Sequence, residues 1–169
     1  MIGANAYLGG RDAKRKTAAM AEQDLIKLYS GRILELAATI PFTERLANPD
    51  ATVMRRSPLC GSTVTVDICV QDGQISAFGQ DVKACALGQA SASIFASHVV
   101  GLRRNDVEGL RDELSAMLKA NGPVPAAPFD DYKVLEPARD FKNRHASILL
   151  AVEATAEALQ QAEDGSACA

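Results

Sequence analysis

Residues 62–84 read STVTVDICVQDGQISAFGQDVKA, and this stretch constrains the fold more than any other. Val64, Val66, Ile68 and Val70 alternate with Thr63, Thr65, Asp67 and Cys69. That is the period of a strand with one buried face. Asp72-Gly73 then supplies a two-residue turn, so residues 74–83 are expected to return as the antiparallel partner. A hairpin cannot bury its apolar face alone and needs helices laid against it.

The flanking segments supply those helices. In EQDLIKLYSGRILELAATI, Leu25, Tyr29, Ile33, Leu36 and Ile40 recur at spacings of three and four, which predicts an amphipathic helix stopped by Pro41. Residues 41–59 hold three prolines and read as a surface connection. A helix is expected from Cys85 to Val100, closed by Gly101. Asn105 and Glu108 stand at capping-box spacing ahead of a stripe of Val107, Leu110, Leu114 and Met117. Residues 121–142 contain four prolines and are expected as a long loop or lid. A last helix is expected from Arg144 to Ala162 on Ile148, Val152, Thr155 and Leu159. The fold class is therefore α+β, a small antiparallel sheet with helices packed on one face. One domain over residues 21–162 is expected, with flexible tails at 1–20 and 163–169.

Composition excludes several classes of function. A chain of 169 residues, 47% apolar and with a net charge of −3, is a globular protein and not a nucleic-acid binder. It has no tryptophan and only 5% aromatic residues, too few for base stacking. No apolar run approaches the ~18 residues that would span a membrane. The N-terminus lacks the apolar core of a secretory signal, so a cytoplasmic protein is expected. Its four cysteines, Cys60, Cys69, Cys85 and Cys168, form no CxxC pair. In that compartment they read as metal ligands, reactive thiols or core filler, not disulfides.

Two of them stand at chosen places. Cys60 lies in RRSPLCGSTVTV, a Pro-x-Cys-Gly turn at the entrance to the hairpin, and Cys85 lies just past its exit. The two ends of an antiparallel hairpin are neighbours, so these thiols should meet. Cys85 also opens a helix, where unpaired N–H groups favour an anion and therefore a thiolate. The small residues Ala86, Gly88, Ala90, Ser91, Ala92 and Ser93 let that helix lie close to the sheet or to a bulky group. A buried cysteine with tight helix packing accounts for this segment equally well. His145 falls in the first turn of the last helix, where imidazole should stay neutral and able to bind metal. A surface or capping histidine would look the same. His98 reads as a core or interface histidine, Cys69 as structural or exposed, and Cys168 as too far along the chain to return to the site.

Taken together, SPLCGSTVTVDI, VKACALGQASAS and LEPARDFKNRHASILL resemble the three signature segments of NifU/IscU-type iron–sulfur cluster assembly scaffolds. The resemblance spans about residues 24–162. It implies the α+β fold expected above, no enzymatic activity of the chain's own, a [2Fe–2S] cluster or iron as the bound group, and zinc in the resting state. It implies a cysteine desulfurase and apo iron–sulfur proteins as partners. By the same resemblance Cys60 and Cys85 match two of three cluster-binding cysteines, and His145 matches the histidine before the third. Ser62 stands where the family has aspartate and Ala146 where it has the third cysteine, and neither is expected to bind well. A [2Fe–2S] cluster takes four ligands, so two chains sharing one cluster would supply four thiolates as a homodimer. The alternatives are a zinc-bound sulfur acceptor for a desulfurase and a degenerate homologue with a regulatory role.

Overall fold

The computed structural model describes residues 14–16 and 30–167. Its elements are α1 (Gly31–Ala38), β1 (Ala51–Arg56), β2 (Thr63–Gln71), β3 (Gln74–Lys83), α2 (Ala86–Ala96), α3 (Arg104–Lys119), a 3-10 segment (Asp130–Asp140) and α4 (Lys142–Ala167). The three strands form one antiparallel sheet in the order β1-β2-β3. The expected tail at 1–20 and the first half of the expected N-terminal helix lie outside the described residues, except for a helical Lys14–Lys16.

The hairpin forms as its alternation requires. Thr63 pairs with Lys83, Val66 with Gln80 and Ile68 with Phe78. Asp72 and Gly73 both take positive φ, +53° and +75°, the backbone of a type I′ turn. Val64, Val66, Ile68 and Phe78 are buried on the helical face. Helix α4 crosses β1 and β2 there, and α2 packs between α1 and α4. Because α2 is enclosed on nearly every side, it is built of small and apolar residues all round.

The chain differs from expectation at several boundaries. Residues 51–56, read as connection, are the edge strand β1, in register with β2 from Ala51↔Ile68 to Arg56↔Thr63. Segment 121–142 is not a free lid, because Asp130–Asp140 winds into 3-10 turns that bury Tyr132, Leu135 and Ala138. The Tyr132 hydroxyl donates to the Ser91 carbonyl at 3.1 Å and ties this segment to α2. Helix α3 begins at Arg104, and Asp106 accepts the Arg103 N–H at 2.8 Å, displacing the expected Asn105–Glu108 box. Helix α2 ends at Ala96, so His98 is exposed with its ring edge-on to Phe129 and is not a core residue. The last helix runs to Ala167, five residues beyond its expected end at Ala162 and through most of the segment expected as a tail.

The outer face of the sheet carries an anchor of its own. Residues 42–46 fold around the β3 edge, where Gln80 N–H donates to Phe42 O at 2.8 Å. They then lie over Gly79, where a Cβ would overlap the Glu44 carbonyl. Asp67, fully buried, fixes this loop. It accepts from the Arg45 guanidinium, the Leu46 N–H at 3.1 Å and the Thr52 hydroxyl at 2.6 Å.

Candidate functional site

The β1–β2 connection is a tight loop, closed by Ser57 N–H to Ser62 O at 2.8 Å and Gly61 N–H to Ser57 O at 3.0 Å. Gly61 has φ +71°, a conformation glycine adopts without strain, and this turns the exposed Cys60 outward at the loop tip. Cys85 is the N-cap residue of α2, with extended backbone, immediately after β3. The hairpin thus brings both cysteines to the same end of the sheet, as their sequence positions predict.

Serine hydroxyls fill the space between the thiols. Cys60 Sγ lies 3.2 Å from Ser57 Oγ and 3.1 Å from Ser62 Oγ. The Ser147 hydroxyl donates to Ser62 Oγ at 3.1 Å, and Ser147 Oγ lies 3.5 Å from Cys85 Sγ. Each hydroxyl has one proton, so the Cys85 thiol is the donor in its contact with Ser147. An unbroken line of polar contacts therefore joins Cys85, Ser147, Ser62 and Cys60. Ser62 and Ser147 are buried, and Ser147 reaches this place because Gly88 on α2 has no Cβ. One added there would overlap Ser147 Oγ and stand 2.9 Å from the Ala84 Cβ.

These contacts set the acidity of Cys60. Partial burial opposes ionisation, but hydrogen bonds from Ser57 and from the hydroxyl and N–H of Ser62, with the Ser147 hydroxyl behind Ser62, outweigh it and bring the thiol down to about 7. The thiol is neutral below that pH and a thiolate above it. Alkylation of Cys60 should accelerate with a midpoint near pH 7, against ~8.5 for an ordinary cysteine. Ser62→Ala should move the midpoint upward. Rates followed by mass spectrometry of the Cys60 peptide would check this, and an unchanged midpoint in the variant would separate the hydroxyls from the acidity.

The other residues singled out from sequence are placed differently. His145 is buried, and its Nε2 lies 2.9 Å from Ala138 O and 3.1 Å from Arg139 O. Both partners are acceptors, so Nε2 carries the proton and only Nδ1 remains for a ligand. His145 and Ala146 line a surface cleft of about 610 Å³ with Leu118, Arg139, Leu149 and Glu153, and neither cysteine borders it. Among the described residues no three His, Cys, Asp or Glu side chains gather as a metal-holding group. Cys69 points to the outer face, its Sγ 3.6 Å from Asn48 O, and Cys168 lies outside the described residues. Ser147 was not foreseen. The signal for it was Gly88, a glycine inside a helix, which marks a close approach by a neighbouring chain segment.

An α+β frame that presents one thiol on a hairpin loop and a second at a helix cap, with hydroxyls between them, defines a thiol-bearing binding module. Comparison with known proteins gives its family. No family model matches the chain. The iron–sulfur cluster assembly scaffold protein IscU of Thermotoga maritima is 28% identical over 141 residues, covering 79% of this chain and 94% of that protein. The crystal structure of the N-terminal part of a nitrogen-fixing NifU-like protein from Brucella abortus superposes with a TM-score of 0.81 at 45% identity, over 83% of this chain and 98% of that one. The SufU structure from Fervidobacterium islandicum AW-1 shares the fold, with a TM-score of 0.69 at 17% identity over 78% of this chain and 96% of that one. The chain belongs to the NifU/IscU-type scaffold family. No helix among the described residues is long and apolar enough to cross a membrane.

Proposed function

We propose that this protein is an iron–sulfur cluster assembly scaffold or carrier, a binding protein and not an enzyme. On this reading it holds iron and a nascent [2Fe–2S] cluster through Cys60 and Cys85 and passes the cluster to apo-proteins. The observation that carries the reading is the convergence of the two thiols at one end of the hairpin, one of them exposed and acidified to about 7. Thiolates are the ligands that clusters require, and an exposed, incompletely closed site suits a cargo that must leave. Sulfur would come from a cysteine desulfurase. His145 could add only Nδ1, since Nε2 serves the Ala138 and Arg139 carbonyls. One chain thus contributes two thiolates to a cluster that takes four ligands, and two chains sharing the cluster would complete it, so loading should drive dimerisation.

The acidity and exposure of Cys60 also support a second reading, a sulfur acceptor with zinc bound at rest. There the Cys60 thiolate would attack the terminal sulfur of the desulfurase persulfide. The desulfurase cysteine would leave as a thiolate, and Cys60 would become the persulfide. Anaerobic reconstitution with iron, cysteine and a desulfurase separates the two. Visible charge-transfer absorption with iron and acid-labile sulfide, together with a shift to dimer on sedimentation, is expected for the scaffold. One zinc per chain, and a persulfide on Cys60 without chromophore, would instead establish the acceptor.

A further inference from the structure

We propose that this chain pairs with a second copy of itself through the outer edge of β1, in a two-fold joint that needs no cargo. The two edges of the sheet differ. Along β3, Ile75 N–H donates to Leu102 O at 2.9 Å, Gly101 N–H to Ile75 O at 2.8 Å, and Gln80 N–H to Phe42 O at 2.8 Å. The chain's own loops thus occupy that edge. Along β1, among the described residues, no main-chain bond reaches the outer edge. Ser57 N–H turns inward to Ser62 O, and this direction alternates along an antiparallel strand. Thr52, Met54 and Arg56 therefore point their N–H and C=O groups outward. Such an edge is a template for another strand. Its register with β2 is unbroken from Ala51 to Arg56, and Met54 near its middle is 67% exposed.

Charge decides which strand fits. Arg55 turns to the helical face, where Glu157 holds it at 3.0 Å and Glu153 at 3.5 Å. Asp50 and Arg56 alternate with it onto the outer face, beside Thr52 and Met54, and both are exposed. Among the described residues Arg56 has no acidic partner, and Asp50 engages only Oδ2, which accepts the Val70 N–H at 2.7 Å. An antiparallel copy centred on Val53 sets Arg56 opposite Asp50 of the second copy and Met54 opposite its Thr52. The two-fold axis repeats each pair, so the joint holds two cross-strand ion pairs. This register also matches the outward groups of Thr52 with those of Met54. Below the edge, a cleft of about 430 Å³ bordered by Arg55, Glu108 and Glu157 leaves room for the side chains that the second strand turns toward the helices. Its carboxylates suit Arg55 of the second copy. The C-terminal ends of the two strands then stand about 20 Å apart, at ~3.3 Å per residue. Each Cys60–Cys85 site stays at its own end of the joint, and a cluster shared between chains would use a different face.

Sedimentation equilibrium of the full-length, metal-free protein tests this, from low micromolar to near-millimolar concentration. A monomer–dimer equilibrium is expected, because one edge strand makes a joint at the small end of specific interfaces. Arg56→Glu sets two acids opposite each other, and Asp50→Arg two bases. Each variant alone should dimerise about tenfold more weakly or worse, as two attractive pairs turn repulsive. Mixed together, the two variants should form an unlike pair as tight as wild type, since every reversed charge then meets its opposite. Met54→Pro removes an outward N–H at an edge position where the fold tolerates proline, and it should abolish pairing. Far-ultraviolet circular dichroism checks the fold of each variant. Should Asp50→Arg, which also gives up its bond to Val70, fail to fold, Arg56→Glu and Met54→Pro decide the matter. The Cys60→Ser/Cys85→Ser double variant should dimerise like wild type, so the joint stands or falls separately from the reading of the thiols. A wild-type chain that stays monomeric throughout would overturn the proposal and leave the edge to another protein's strand. Wild-type association by Met54→Pro, or by Arg56→Glu alone, would overturn it as well.

Discussion

Loss of all cluster loading is the expected result for the double variant Cys60→Ser/Cys85→Ser, with the fold retained. Serine is close in size to cysteine, Cys60 is exposed at a loop tip, and Cys85 is only partly buried at a helix cap. Substitutions at such places change stability by about 0.5 kcal/mol or less. Loading should respond in the opposite way, because a neutral hydroxyl replaces a thiolate in both positions that the chain offers. Each single variant should lose most of its iron and acid-labile sulfide as well. Cys69→Ser should load like wild type, since its sulfur lies on the outer face of the sheet beside Asn48. Iron and sulfide per chain after identical reconstitution, read with the visible spectrum, decide the matter. Stoichiometric loading of the double variant would end the scaffold reading at these residues.

The hairpin and the position of the two cysteines were legible because both depend on short-range rules. Alternation over Thr63–Val70 and an Asp-Gly turn align the two strands, with one shift of register between Cys69 and Val70, and the pairing carries Cys60 and Cys85 to the same end. Strand β1 was hidden for a physical reason. It is a six-residue edge strand between Pro49 and Pro58, buried only at Ala51 and Val53, and it pairs because β2 offers a free edge. The 3-10 segment was equally obscure, since Pro137 and six charged residues within 130–136 and 139–140 argue for a loop, while Tyr132 and Leu135 anchor it by burial alone. Family resemblance directed attention to His145 and Ala146, whereas contact with the thiols is made one residue later. Nothing in the local pattern around Ser147 marks it. Only the paired demand of Gly88 on α2 and a small polar residue on α4 does, and that pairing is tertiary.

The largest stability effect is expected on the other face of the sheet. Asp67 lies in the middle of β2 with its side chain wholly enclosed, a position where a carboxylate is retained only if it is fully partnered. Arg45 binds it through Nε and Nη2, the latter at 2.9 Å, and Thr52 and the Leu46 N–H supply two further donors. The Arg45 guanidinium, ahead of the cost of burial and with help from Thr52 and Leu46, holds the carboxyl below its ordinary value of 3.8. Asp67→Ala removes the anchor of residues 42–46 and leaves the Thr52 hydroxyl and Leu46 N–H without their acceptor. Because Arg45 is half-exposed and can rehydrate, the cost should be about 2–4 kcal/mol, below that of splitting a wholly buried pair. For a chain of this length that is a fall in melting temperature of roughly 5–15 °C. The pH dependence has a definite sign. A carboxyl whose folded pKa is depressed stabilises the fold fully above its unfolded pKa of ~3.9, and the contribution disappears as pH falls through the lower, folded value. Wild-type stability should therefore drop more steeply than that of Asp67→Asn below about pH 4, and the two curves should run parallel above it. Chemical denaturation at a series of pH values measures both. Equal stabilities at neutral pH, or parallel curves throughout, would mean that the Asp67 carboxylate does not hold the loop to the sheet.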